Sequence, residues 1–332
     1  MVTIGINGLG RIGRAVLRAV CEEGYEDIRV AVVNGPAPTE THAHLLQYDS
    51  VHGRFRGKIM HEGDTLNMGR NDIAVLHARD PEAVKWGDYG VDVVLECTGA
   101  FTSQNAAAVH LRNGAKRVLI SAPATDDCKT IVYGVNDAVI EASDTVISVG
   151  SCTTNCLAPV AKVIHDAFGI ELGFMTTIHA YTSDQNIHDG SHKDLRRARA
   201  AGLSMIPTKT GAAKAIGLVL PALAGKLSGT AIRVPTANVS LVDLTVTTSK
   251  AVNKDRVNAA FVTVASAGSL KGILKTCDAP LVSIDFNGDN ASAIVDLTGT
   301  QVVGDHFLRV AAWYDNEWGF SCRMLDMARR FA

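Results

Sequence analysis

Through the first 150 residues, short runs of β-branched and aliphatic residues alternate with stretches whose apolar positions recur at helical spacing. "VTIGIN", "IRVAVVN", "VDVVLEC" and "KRVLIS" read as strands, and "RIGRAVLRAVCEEG" and "NAAAVHLRNGA" as helices between them. This rhythm predicts an α/β fold with a Rossmann-type doubly wound parallel sheet over residues 1–150. From residue 151 the pattern changes. "DTVISV" reads as a strand and "TTNCLAPVAKVIHDAFG" as a helix beginning near Cys152. Longer strands then follow one another, as in "AIRVPTANVSLVDLTVTTSK", which predicts an α+β second domain with a largely antiparallel sheet. The strand "FLRVAAWYD" leads into a last helix at about residues 317–331. No repeat or low-complexity segment interrupts the chain.

Composition narrows the function classes. At 332 residues, 47% hydrophobic and 20% charged, the chain is long enough for two globular domains. A net charge of -2 supplies no global basic field, so neither nucleic acid nor a membrane is an expected partner, and any anion must be bound locally. "MVTIGINGLGRIGR" lacks the features of a signal peptide, and a cytoplasmic protein is expected. The 7 cysteines are odd in number and scattered, unlike a disulfide scaffold, and read as reduced thiols.

Chemistry enters first at the glycines. Gly8, Gly10 and Gly13 form G-x-G-x-x-G between a predicted strand and a predicted helix, where glycine permits a tight turn and lets backbone amides approach a pyrophosphate. Alone, the same spacing also suits a tight turn that binds nothing. A dinucleotide site of this type normally carries a carboxylate after the second strand for the adenosine ribose. Here that strand ends "VVNGPAP", with Asn34 and Gly35 at the expected place, so a determinant against the 2′-phosphate of NADP is missing.

"VGSCTTNCLAP" places Cys152 near a helix N-terminus, where the macrodipole and free amides favour a thiolate. The terminus alone falls short of a large pKa shift, so a cationic or hydrogen-bonding partner is expected, histidine being the natural one. Cys156, one turn on, is expected to face the core. The C-x-x-x-C pair as a metal or redox-disulfide site is the weaker alternative, because no second pair follows.

"NGLGRIGR", "SCTTNCLAP", "HAYTSDQ", "HKDLRRARA", "TGAAKA", "RVPTANVS" and "WYDNEWGF", in one collinear order along nearly the whole chain, resemble the phosphorylating glyceraldehyde-3-phosphate dehydrogenase family. The resemblance implies a cofactor domain over residues 1–150, a catalytic domain over 151–316, a terminal helix 317–332 returning to the first domain, and a homotetramer. It implies Cys152 as nucleophile and His179 as its base. Thr182 and Arg233 would hold the phosphate of glyceraldehyde 3-phosphate, and Ser151, Thr153, Thr210 and Gly211 the attacking inorganic phosphate, with Arg197 between the two sites. Arg11, Ile12, Arg79, Thr98 and Ser121 match cofactor-lining positions, and Asn316 matches the residue that holds the nicotinamide carboxamide. No metal is implied. "HKDLRRARA" taken by itself reads as a solvated basic face, and no aromatic residues interleave in it for base stacking.

Several positions depart from the family. Gly35 replaces the usual ribose-binding aspartate, and Gly190 and Ser191 stand where strict NAD users often carry Leu-Pro reaching a neighbouring subunit's ribose. Both changes are expected to open room near the 2′ position, with Ser191 available to a phosphate there, so dual use of NAD and NADP is expected. Val149-Gly150 replaces a common Asn-Ala, and Phe320 a frequent tyrosine near the nicotinamide. The related erythrose-4-phosphate enzyme is the nearest alternative, and the intact "AYTSDQ" and "TGAAKA" argue against it. A non-enzymatic binding or thiol-redox protein on the same fold is the alternative from another class, opposed by intact Cys152, His179 and Arg233.

Overall fold

A computed structural model describes residues 1–332, which divide into two compact units. The first comprises Met1–Tyr133, Asp137–Ser151 and Phe320–Ala332, the second Gly134–Asn136 and Cys152–Gly319.

The first unit is built on an eight-stranded sheet. In chain order its elements are β1 (Val2–Asn7), α1 (Arg11–Glu22), β2 (Ile28–Asn34), α2 (Thr39–Gln47), β3 (Met60–Glu62), β4 (Thr65–Asn67), β5 (Asp72–Leu76), β6 (Val93–Glu96), β7 (Arg117–Ile120) and β8 (Val146–Ser148). The spatial order is β8-β7-β6-β1-β2-β5-β4-β3. The six strands from β8 to β5 run parallel, and β4 and β3 add an antiparallel edge the apolar pattern did not announce. β3 is wholly exposed, so it carries no buried stripe for a pattern to reveal. The helix expected across "NAAAVHLRNGA" is two short pieces, Gln104–Ala107 and Val109–Arg112, with Ser103 capping the first through the Ala106 N–H at 3.1 Å. The C-terminal segment packs within this unit: Tyr25 donates to the Cys322 carbonyl at 3.1 Å, and the Arg117 guanidinium lies 4.8 Å from the Phe331 ring centre.

The second unit starts with α3 (Cys152–Phe168) and continues through β9 (Ile170–Ala180), β10 (Ile206–Thr208), α4 (Ala212–Val219), β11 (Leu227–Val234), β12 (Ser240–Thr248), α5 (Lys254–Ser266), β13 (Leu274–Cys277), β14 (Ala293–Val303), β15 (Phe307–Tyr314) and α6 (Trp318–Phe331), whose first two residues belong here. Its sheet, ordered β10-β11-β9-β12-β15-β14-β13, is antiparallel except for the β9/β11 and β13/β14 pairs. The long apolar run from 231 to 250 is two strands, because Pro235 has no N–H for a ladder and Val239 takes a left-handed φ of 67°. Just ahead of α3, Gly150 has a left-handed φ of 71°, a conformation that favours glycine over any residue with a side chain.

Candidate active site

α3 delivers Cys152 and β9 delivers His179. The Cys152 Sγ lies 3.5 Å from His179 Nε2. β11 runs parallel to β9 with Arg233 directly opposite His179, and the guanidinium NH1 stands 2.7 Å from His179 Nδ1 and 3.1 Å from the Ala180 carbonyl. The Ala180 oxygen can only accept, and His179 Nδ1 is 2.7 Å from it. The carbonyl calls for a proton on Nδ1 and the guanidinium, which can only donate, for a lone pair there; the tautomer protonated on Nδ1 is the one whose Nε2 lone pair faces the thiol. Tyr314, buried on β15, closes the floor: its hydroxyl is 2.9 Å from Thr153 Oγ1 and 2.8 Å from Thr177 Oγ1, and its ring meets His179 edge-on.

Burial raises the Cys152 thiol above its ordinary value, opposed chiefly by the Arg233 charge. Burial, reinforced by Arg233, pulls His179 down to about 3. The resting pair is therefore a thiol against a neutral imidazole, and the cation expected beside the sulfur is an arginine. Cys156 is fully buried, with its Sγ 3.8 Å from the Ala312 carbonyl, and burial pushes its thiol well up. All seven cysteines are free.

Two groups of anion-binding candidates differ in readiness. No carboxylate pairs with Arg233, and its buried Nε has no hydrogen-bond partner. Arg197 is already engaged, with Asp184 on NH1, Thr208 Oγ1 at 3.0 Å and the Lys209 carbonyl at 3.3 Å. Thr153 is buried in the first turn of α3, where its hydroxyl meets Tyr314 and both the hydroxyl and the backbone N–H favour a thiolate on Cys152. Gly211 is the exposed N-cap of α4, where no side chain caps the helix, and Thr210 Oγ1 accepts from the Ala212 N–H at 3.2 Å. Thr182 is half-buried and Ser151 immediately precedes α3. Asn316 accepts through Oδ1 from the Ser240 hydroxyl at 2.9 Å, which leaves its Nδ2 as an available donor. Ser191 is exposed on the long loop between β9 and β10.

In the first unit the glycine turn fits a dinucleotide. Gly8 has φ 100°, and a Cβ there would stand 2.8 Å from Thr98. A Cβ on Gly13 would come within 2.0 Å of the Gly8 carbonyl, so the third glycine lets α1 approach β1. At Gly10 a Cβ would meet nothing within 4 Å, and α1 carries no side-chain cap, so a phosphate can approach the head of the helix. Ile12 is half-buried in the first turn, while the Arg11 guanidinium is held by Asp49. Asn34 clasps Ala78 through both its N–H and its carbonyl at 3.0 Å, which sets exposed Arg79 beside the end of β2. The Ser121 N–H bonds the Glu96 carbonyl at 3.0 Å on the neighbouring strand.

Two sequence patterns cover most of the chain. "Glyceraldehyde 3-phosphate dehydrogenase, NAD binding domain" matches residues 2–104, and "Glyceraldehyde 3-phosphate dehydrogenase, C-terminal domain" matches residues 151–316. The glyceraldehyde-3-phosphate dehydrogenase of Xanthobacter flavus is 57% identical over 98% of this chain and 97% of its own length. The chain belongs to the glyceraldehyde-3-phosphate dehydrogenase family. Proteins of the same name from Cereibacter sphaeroides and Pseudomonas aeruginosa are 55% and 54% identical, over 98% and 100% of this chain and 97% and 98% of their own lengths.

Within that family, one expectation is corrected here. Gly35 does not open room: the space a side chain would take is filled by the buried His42, whose Nε2 and Cε1 lie 2.8 and 2.9 Å from the ideal Cβ position. His77 Nδ1 donates to the Ala37 carbonyl at 2.8 Å and its Nε2 reaches Asp64 at 3.0 Å, a pairing that raises its pKa. His42, His77 and Tyr314 were missed because a histidine or tyrosine in a lone sequence carries no mark of its long-range neighbours, although Tyr314 lies inside the "WYDNEWGF" motif.

Proposed function

We propose that this protein is a phosphorylating glyceraldehyde-3-phosphate dehydrogenase that uses NAD and accepts NADP. The observation that carries the proposal is the Cys152–His179 contact with unpaired Arg233 beside it. The thiol adds to the aldehyde carbon while His179 Nε2 takes the thiol proton and returns it to the oxygen, giving a thiohemiacetal. His179 then removes the hydroxyl proton as the carbon is oxidised to a thioester. NAD, which the glycine turn and the head of α1 would hold, would supply the acceptor for the hydride that leaves this carbon. A phosphate oxygen attacks the thioester, Cys152 leaves as thiolate beside Arg233, and 1,3-bisphosphoglycerate departs. Cofactor reduction should therefore require aldehyde and inorganic phosphate together over many turnovers. Sustained turnover without phosphate or a phosphate analogue would contradict the proposal.

Arg233 and Thr182 would bind the substrate phosphate, and the amides at the heads of α3 and α4, with Ser151 and Thr210, the attacking one. Arg233→Ala should weaken use of the phosphorylated aldehyde by about 1.5 to 3 kcal/mol, roughly 10- to 150-fold, more than use of an unphosphorylated analogue. Equal losses on both substrates would assign Arg233 a structural role.

The NADP reading rests on the missing carboxylate and on Arg79 near the end of β2. Efficiencies with the two cofactors should differ by about 5- to 30-fold. Because His42 blocks position 35, the test combines Gly35→Asp with His42→Ala, which should impair NADP and spare NAD. Thousandfold discrimination against NADP by the parent enzyme would overturn this reading.

A homotetramer is part of the proposal. Leu172 and Phe174 on β9 are 64% and 50% exposed, and Ile187, Leu195 and Leu203 on the β9–β10 loop exceed 80%, apolar surface of the kind that copies of a chain cover for one another.

A further inference from the structure

Three neighbouring strands of the first sheet end at one level. Asn7 closes β1, Asn34 closes β2 and Glu96 closes β6, and the parallel register sets Asn7 opposite both others. β6 and β1 are the strands at which the winding of the sheet reverses, the place where doubly wound folds take their ligand. Glu96 is only 1% exposed and no lysine or arginine pairs with it. Four donors converge on it instead. Asn7 Nδ2 at 2.6 Å and His110 Nε2 at 2.9 Å reach Oε2, while the Thr98 N–H at 2.8 Å and the Thr98 hydroxyl reach Oε1. The Trp86 indole N–H can only donate, and it meets His110 Nδ1 at 3.0 Å, so the ring proton is held on Nε2, toward Glu96.

The order set by Glu96 passes outward to the cofactor turn. With its N–H committed to Glu96, Asn7 presents Oδ1 to Asn34 Nδ2 at 2.8 Å. The Asn34 carbonyl accepts the Gly8 N–H at 2.9 Å, and Thr98 forms the wall against Gly8. Apolar side chains of similar volume could hold three strand ends together without burying an ion. What the carboxylate adds is direction, because every amide and hydroxyl around it can satisfy it in only one orientation. We propose that Glu96 is a positioning residue for the dinucleotide, fixing the spacing of the Gly8 turn, the Asn34–Gly35 exit and Thr98 without touching the cofactor. The inference rests on the NAD reading of the glycine turn.

Glu96→Gln turns an NH₂ group against at least one of these donors, and no ring flip relieves it while Trp86 holds Nδ1. Calorimetric titration of NAD into the cofactor-free enzyme should show binding about tenfold weaker, with kcat at saturating NAD within twofold of the parent. Trp86→Phe cuts the same relay at its far end and should lower the melting temperature while leaving the NAD dissociation constant within twofold. Parental NAD affinity in Glu96→Gln, or equal weakening by Trp86→Phe, would overturn the proposal and leave Glu96 a fold staple. Should Glu96→Gln fail to fold, Asn7→Leu breaks the bridge while keeping its volume, and severalfold weaker or unchanged NAD affinity decides the question. A parent that binds no NAD would refute the cofactor reading itself, an outcome separate from either of these.

Discussion

Cys152→Ser should lower kcat on the order of 10⁴-fold or more, the scale seen when a covalent nucleophile is removed, while leaving NAD affinity and thermal stability close to those of the parent. Serine keeps the size of the side chain and suits a helix start, so nothing in α3 need rearrange. Its hydroxyl is a far poorer nucleophile against a neutral imidazole, and an ester would form in place of a thioester. Cys156→Ser should stay within a few-fold of parental kcat, since that sulfur is fully buried against β15. A Cys152→Ser enzyme within tenfold of the parent would remove the nucleophile from the account.

His179→Gln should lower kcat by about 10²- to 10⁴-fold, the usual contribution of a positioned base. The same variant tests the electrostatics of the resting site. His179 is held at about 3, below the ordinary histidine value, by burial and by Arg233. Between the ordinary value and about 3 the unfolded chain binds a proton there that the folded chain refuses. This histidine's contribution to stability is therefore complete above the ordinary value and is lost as pH falls toward 3. The urea midpoint of the parent should thus fall more steeply than that of His179→Gln between about pH 7 and pH 4. Parallel curves would show that the ring accepts its proton inside the folded protein.

The parts of the fold that read directly from sequence are those whose burial is local and continuous. β1 and β2 fall at Val2–Asn7 and Ile28–Asn34, where the β-branched runs stand. The β3–β4 edge was silent because its short strands are mostly exposed, and the break between β11 and β12 depends on the backbone of Val239. A similar division holds at the site. Cys152 announced itself through helix placement, and Arg233 and His179 through motifs that resemble a family. Tyr314 meets Thr153 across 161 residues of chain and Glu96 meets Asn7 across 89, so their roles exist only once the sheets have formed. Gly35 shows the opposite failure. Its lack of a side chain suggested open space, but the fold returns His42 from α2 to fill it.

The proposed reaction requires an acyl group carried by Cys152. Enzyme mixed with glyceraldehyde 3-phosphate and excess NAD in the absence of inorganic phosphate, then quenched in acid and digested, should yield the Cys152 peptide heavier by one 3-phosphoglyceroyl group. That acyl group should disappear when phosphate is added before the quench. Cofactor reduction in a stoichiometric burst with the acyl group on another residue, or on none, would contradict it.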